Sequence, residues 1–214
     1  MLSIVIPAFN EEESLPQTLY AISLSIERLD NKLEVEVVVV DNASTDQTAQ
    51  VAKSFGVNVV TELTPSIGAA RNRGVNASKG DLILFLDADV IISKYALQVL
   101  IEETSSLGLE LGGLRAIYRP KKLSSWLMCA YWDWRRESSG VPQGVAQFVS
   151  RSLFFKTGGY DESLFMSEDV EFYSRARSML RQYNGTSLIL QDAIVWPSTR
   201  RYDKWSGIKF IFFL

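Results

Sequence analysis

Histidine is absent from all 214 residues. That omission removes Ser-His-Asp and Cys-His catalysis and nearly all zinc enzymes, and leaves carboxylates as the candidates for any general base. Cysteine occurs once, as Cys129, so no intrachain disulfide framework exists. A lone cysteine fits a reducing compartment and reads as a small buried hydrophobe without chemistry of its own. Long apolar runs are missing as well: none reaches the roughly 18 residues that a bilayer span needs. Met1 to Pro7 lacks the basic start and small-residue cleavage site of a signal peptide, and it reads as a strand instead. Charge of either sign is modest, with 22 Lys and Arg against 25 Asp and Glu, and a formal net charge of -3 gives no electrostatic reason to expect nucleic acid. No repeat and no low-complexity tract interrupts the chain. What remains is 47% hydrophobic and 22% charged residues, the balance of an ordinary globular protein whose length suits one domain.

The stretch with most chemical content is Leu82-Ile83-Leu84-Phe85-Leu86 running into Asp87-Ala88-Asp89. Five apolar residues after Gly80-Asp81 predict a strand buried on both faces, with two carboxylates one residue apart at its end. Open α/β sheets bind ligands outside the carboxyl ends of their strands. Two acids this close repel, and Mg²⁺ or Mn²⁺ is typically held by one or two carboxylates plus substrate phosphates. A plain turn after a strand uses Asp in the same way, so the pair alone is ambiguous.

The rest of the chain alternates strand and helix. Leu2 to Ile6 predicts a strand. Ser14 and Gln17 suggest a capping box for a helix whose stripe is Leu15, Leu19, Ile22, Ile26 and Leu29. Glu34 to Val40 predicts a central strand, followed by Asp41-Asn42-Ala43-Ser44-Thr45-Asp46-Gln47, with Ser44 and Gln47 as a second capping box. Val57 to Val60 is a third strand, and Ile67 to Ala77 a small-residue helix able to lie close to the sheet. Such alternation is the signature of a mostly parallel sheet with right-handed crossovers. Beyond it, Lys94 to Leu107 predicts a helix, Gly112 to Tyr118 a strand, Trp126 to Arg136 an aromatic helix, and Ala146 to Ser150 a strand. Met166-Ser167-Glu168-Asp169 opens a last helix to about Gln182, capped by Ser167 or by the acids.

The segments IVIPAFNEEESL, VVVVDNASTDQT, GAARNRGVNASKGDLILFLDADV and GGYDESLFMSEDVEF occur in this order. Together they make the chain similar to the family 2 glycosyltransferases of the GT-A, nucleotide-diphospho-sugar transferase fold, over roughly residues 2 to 200. The resemblance implies a single Rossmann-like GT-A domain over 1–204, its nucleotide-binding half at about 1–118 and its acceptor half at about 119–204, followed by an apolar tail at 205–214. It implies an inverting transfer from a nucleotide-diphosphate-sugar, UDP before GDP, to an acceptor hydroxyl or lipid phosphate. Pro7, Ala8 and Glu11 would border the base and ribose, and Asp41 would accept from the base edge. Asp87 would contact ribose or metal, and Asp89 would ligate the Mg²⁺ or Mn²⁺ that bridges the diphosphate. Arg71 would contact phosphate or the carboxylate cluster, Arg200 and Arg201 would close over the diphosphate, and Asp169, beside Glu168, would deprotonate the acceptor. Many relatives carry a second acid where Asn42 stands, and some place a histidine metal ligand near Arg200. The implied setting is envelope polysaccharide or glycolipid synthesis in the cytoplasm, at or near the inner face of the membrane.

Three rivals share parts of this pattern. Leu84 to Val90 also resembles the nucleophile motif of haloacid-dehalogenase-like phosphatases, with Asp87 phosphorylated, although three strands precede it. A sugar-1-phosphate nucleotidylyltransferase would need a glycine-rich first loop that Pro7-Ala8-Phe9-Asn10-Glu11 replaces. A non-catalytic nucleotide-sugar-binding module would keep Asp41 and Asp89 but tolerate loss of Asp169. Trp126, Trp132 and Trp134 with Arg135 and Arg136 suit an acceptor pocket, a bilayer surface or the core, and the tail at 208–214 suits docking, a homodimer or a membrane.

Overall fold

The computed structural model describes residues 1–30, 33–120 and 122–200; the side chains at 123, 124, 128, 132, 135–137 and 139 lie outside that description, as do Arg201 and the apolar tail. The elements run β1 (Leu2–Ala8), α1 (Leu15–Ile26), β2 (Val35–Asp41), α2 (Thr48–Ser54), β3 (Asn58–Thr61), α3 (Ile67–Ala77), β4 (Leu82–Leu86), β5 (Val90–Ile92) and α4 (Ala96–Leu107). They continue as β6 (Leu111–Ala116), α5 (Leu123–Ser139), β7 (Ala146–Ser150), α6 (Arg151–Thr157), α7 (Glu168–Arg181) and β8 (Ser187–Pro197).

The strands form one eight-stranded sheet among the described residues, in the order β3-β2-β1-β4-β7-β6-β8-β5. The first four run parallel, with Val5 opposite both Val38 and Phe85. β7 lies antiparallel to β4 and to β6, β8 runs parallel to β6, and β5 closes the far edge antiparallel to β8. Two antiparallel steps restore the direction, so β6 and β8 end at the same edge as β1, β2 and β4.

Alternation along the central strands sorts their side chains into two cores. Ile4, Ile6, Val39, Leu84 and Leu86 meet Leu15, Leu19 and Ile22 of α1 and Leu97 and Leu100 of α4. Val5, Val38, Val40, Ile83 and Phe85 face the other way, onto Ala70 and Val75 of α3 and Phe172, Tyr173 and Ala176 of α7. Every residue of β1 is buried, as a strand covered by helices on both faces requires. Tyr160 and Phe172 stack at 4.3 Å beneath Phe85, forming an aromatic floor under the carboxyl edge.

The two expected capping boxes fail because Ser14 and Ser44 are used elsewhere, while at α7 the acids Glu168, Asp169 and Glu171, not the Ser167 hydroxyl, occupy the helix start. Ser14 makes no cap hydrogen bond and instead accepts from Arg200. Ser44 accepts from the Asn10 amide, and α2 begins only at Thr48, whose hydroxyl accepts from the Glu11 amide. Ser167 has a left-handed backbone, φ 63°, and its hydroxyl does not cap α7. Ser66 and Ser150 do cap, for α3 and α6. The strand expected at Gly112 to Tyr118 runs from Leu111 to Ala116, and β5, α6 and β8 are additional elements.

The small-residue character of α3 has its reason at Gly74. A Cβ there would stand 2.3 Å from Val5 Cγ1 and 3.0 Å from Val40 Cγ2. Gly74→Ala gains about 1 kcal/mol of helix propensity but overpacks the α3–sheet contact by about 1–3 kcal/mol. A net loss of about 1 kcal/mol is expected, read as a lower urea midpoint at unchanged slope. A midpoint that rises would show that α3 does not sit this close to β1.

Candidate active site

The carboxyl ends of β1, β4, β6 and β8 surround a cleft of about 280 Å³ lined by Pro7, Ala8, Glu11, Asp87, Asp89 and Arg200, with Asn42 and Tyr118 at its walls. The structure therefore brings six of the sequence-selected residues to one opening. The backbone of the two-acid stretch is held from three directions. Thr18 donates to the Ala88 carbonyl at 2.8 Å, the Asp87 amide donates to Val145 at 3.1 Å, and the Ser198 amide donates to Asp89 at 3.1 Å.

Arg71 lies beneath the cleft rather than in solvent, with 2% of its surface exposed. Its guanidinium donates to Glu168 Oε1 at 2.7 Å, to Asp87 Oδ1 at 3.2 Å and to the Gly144 carbonyl at 3.3 Å. Tyr160 supports it from below, 5.2 Å from ring centroid to guanidinium carbon. Burial favours the neutral arginine, but Tyr160, Asp87 and Glu168 outweigh it and raise the pKa, so Arg71 stays charged. It ties the end of β4 to the start of α7, and so joins the proposed donor acids to the proposed acceptor acids.

Asp169 follows Glu168 at the N-terminus of α7, where negative charge is favoured. It packs against Gly144: a Cβ on that glycine would fall 2.3 Å from Asp169 Oδ2. Gly144 carried no signal in the sequence, since its role depends on a neighbour 25 positions away that only the fold supplies. The turn before α7 is strapped by Asn72, whose Oδ1 accepts from the Tyr160 amide at 2.9 Å and whose Nδ2 donates to the Tyr160 carbonyl at 2.9 Å.

Asp41 ends β2 and accepts from the Ser44 amide at 3.2 Å. Asn42 donates through Nδ2 to the carbonyls of Glu62 and Thr64, at 3.1 and 2.5 Å. Its amide therefore fastens the β3–α3 loop. A carboxylate at this position has no hydrogen to offer either carbonyl, so the amide is what makes this tie. The loops after β1 and β2 are laced together: Asn10 accepts from the Thr45 amide at 2.8 Å, and Glu12 accepts from the Gln47 amide at 2.8 Å.

Arg200 reaches back across the cleft. It pairs with Glu11 Oε1, donates to Ser14 Oγ at 2.8 Å, and places Nε 3.3 Å from Asp89 Oδ2. Burial raises the Glu11 pKa, and Arg200 opposes that shift. Arg201 lies outside the described residues.

No group of three His, Cys, Asp or Glu side chains is arranged as a metal cage among the described residues. The donor set at the cleft is Asp87 and Asp89, hard oxygens of the kind that hold Mg²⁺ or Mn²⁺ together with phosphate oxygens and water. The Asp87 carboxyl is pushed up to about 6, first by burial and then by the charges of Asp89 and Asp169, against the pull of Arg71. Surplus negative charge at this point is what a divalent cation relieves, so the residues fit one.

Residues 3–156 match the model of glycosyl transferase family 2, and the chain belongs to that family. The probable glycosyltransferase YdaM of Bacillus subtilis is 28% identical over 200 residues, covering 83% of this chain and 47% of that protein. The chain spans between 28% and 60% of the length of curated relatives such as this one. Among solved structures, Staphylococcus aureus TarS in complex with UDP-GlcNAc has a TM-score of 0.72 at 22% identity, over 96% of this chain and 59% of that one. The mannosyltransferase PcManGT of Pyrobaculum calidifontis, in complex with GDP-Man and Mn²⁺, also has a TM-score of 0.72, at 18% identity over 94% and 58%. These likenesses establish the fold as that of GT-A glycosyltransferases, and family membership sets the phosphatase and nucleotidylyltransferase readings aside.

Gly144→Ala tests the placement of Asp169. The added methyl displaces the Asp169 carboxylate; with Asp169 as the acceptor base that the family resemblance implies, turnover should fall by about 10-fold or more, while nucleotide affinity stays within about twofold. Unchanged turnover would show that Asp169 does not depend on this contact.

Proposed function

We propose that the chain is an inverting glycosyltransferase domain. It moves a sugar from a nucleotide-diphosphate-sugar, UDP in preference to GDP, to a hydroxyl or lipid phosphate of a saccharide or lipid-linked acceptor. The observation that carries this reading is one cleft at the carboxyl ends of the strands lined by Asp87 and Asp89, with Asp87 joined through Arg71 to Glu168 beside Asp169. Family membership and the ligands of the two solved neighbours support it.

In this reading Pro7, Ala8 and Glu11 border the base and ribose, and Asp41 accepts from the base imino group. Arg200 binds the diphosphate through its planar fork. Asp87 and Asp89 would hold a divalent ion, which when bound would supply Lewis-acid stabilisation of the departing diphosphate. Asp169 takes the acceptor proton as the new bond forms, with Glu168 fixing the helix start through Arg71. A single base opposite the leaving group gives in-line displacement and inversion at the anomeric carbon. A positioned base is worth about 10²–10⁴ in rate, so orientation and charge neutralisation carry the larger share.

The acceptor is assigned to the neighbouring hollow formed by Pro120, Trp126, Ala130, Asp133 and Trp134, which meets the donor cleft at Tyr118. Trp126 and Trp134 are 55% and 64% exposed there, which disfavours a core role for those two rings. The side chains of Trp132, Arg135 and Arg136 lie outside the described residues. No helix among the described residues is long and apolar enough to cross a membrane. We place the domain in the cytoplasm, peripheral at the inner face of the membrane, and a homodimer is compatible with this arrangement.

Calorimetric titration with UDP and with GDP, each with and without Mn²⁺, should show metal-dependent binding of UDP that Asp89→Ala abolishes. Binding of neither nucleotide under any condition would remove the main support for the donor site. Asp169→Asn should keep UDP affinity and lose turnover by about 10²-fold or more; an active variant would exclude Asp169 as the base, whereas nucleotide binding with no transfer by the wild type would revive the binding-module reading.

A further inference from the structure

Arg200 stands where the proposed metal site needs an acid, and it holds that acid itself. All three guanidinium nitrogens are engaged: one with Glu11, one with Ser14 at 2.8 Å, and Nε with Asp89 at 3.3 Å. The two acids come from different strand ends, and one cation balances both. The backbone that carries Arg200 is pinned separately, through the Ser198 amide on the Asp89 carbonyl and the Arg200 amide on Ser198 Oγ at 3.3 Å. Its side chain is 40% exposed, so the guanidinium can turn without moving the strand. Glu11 binds Arg200 through Oε1 alone, while its buried Oε2 has no hydrogen-bond partner.

Resting on the donor-site reading above, we propose that Arg200 is a positioning residue that balances the Asp89 charge until metal and nucleotide bind. It must release Asp89 before a divalent ion can take that carboxylate, which makes metal binding depend on nucleotide. A doubly charged ion arriving alone meets both an occupied ligand and a guanidinium a few ångströms away. When it arrives with a nucleoside diphosphate, the phosphate offers Arg200 a replacement anion of the same bidentate geometry, and Glu11 keeps the side chain at the cleft during the exchange. Arg200 then no longer competes with the ion for Asp89. The coupling is reciprocal: nucleotide strengthens metal binding by the same factor as metal strengthens nucleotide binding.

The test is Mn²⁺ binding followed by the electron paramagnetic resonance signal of the free ion, with no turnover required. Wild-type protein, Arg200→Gln and Arg200→Lys are titrated with Mn²⁺ alone and with Mn²⁺ in the presence of UDP or GDP. Wild type should bind Mn²⁺ at least about tenfold more tightly with its nucleotide than without, the size expected for one unit charge near a part-exposed ligand. Arg200→Gln should bind Mn²⁺ alone about tenfold more tightly than wild type and lose most of the nucleotide effect. Arg200→Lys keeps the charge and should bind Mn²⁺ alone as weakly as wild type, which separates charge from any structural effect. Equal Mn²⁺ affinities for wild type and Arg200→Gln, with Mn²⁺ and nucleotide still binding together, would overturn the proposal and leave the donor site intact. No Mn²⁺ binding with either nucleotide would overturn the donor site and this proposal with it.

Discussion

The contact on which the rest depends is the buried guanidinium of Arg71. A buried charge is tolerated only when it is paired and hydrogen-bonded, and removing one partner from such a pair costs about 3–5 kcal/mol. Here the partners are Asp87, Glu168 and the Gly144 carbonyl, drawn from β4, the start of α7 and the loop entering β7. The three segments are 16, 97 and 73 positions from Arg71 in the chain. The aromatic floor of Phe85, Tyr160 and Phe172 keeps water from competing for the same charges. Position and electrostatics therefore have a common origin, because the residue that ties Asp87 to Glu168 also balances their charge.

That arrangement needs the antiparallel strand. In a fully parallel sheet every strand would enter from the edge remote from the ligand. β7 pairs antiparallel with β4, with Leu86 opposite Ala146, so its entering loop arrives at the ligand edge and delivers Gly144 and Val145 beside Asp87. The lack of a side chain at Gly144 then leaves room for the Asp169 carboxylate. A reversal of one strand thus brings backbone from the second half of the chain into a site otherwise built by the first.

Most of the fold was legible before any coordinates, and what escaped did so for physical reasons. Strand β4 is an unbroken apolar run, β1 and β2 carry apolar runs at 4–6 and 37–40, and the two acids after β4 stand where such sheets bind ligands. β8 was missed because Gln191 and Asp192 interrupt its pattern at an irregularity in its pairing with β6. The two capping boxes had the right residue types at the right spacing, yet Ser14, Ser44 and Thr48 are committed to partners 34 to 186 positions away. Local signals compete poorly with long-range hydrogen bonds that tertiary structure makes available. At the site, carboxylates and arginines announced themselves by type. Gly144 and Tyr160 did not, since their roles lie in the space they leave or the surface they provide.

The path of the chain between β6 and β7 has a consequence of its own. β6 ends at the ligand edge near Tyr118, and β7 begins at the same edge near Val145, so the intervening stretch with α5 leaves and returns within one opening. Both of its attachment points are fixed by the sheet, and none of its length is needed to connect strands across the molecule. Evolution can therefore exchange this stretch like a tool bit in a fixed chuck, altering what borders the cleft while the cleft itself stays as it is.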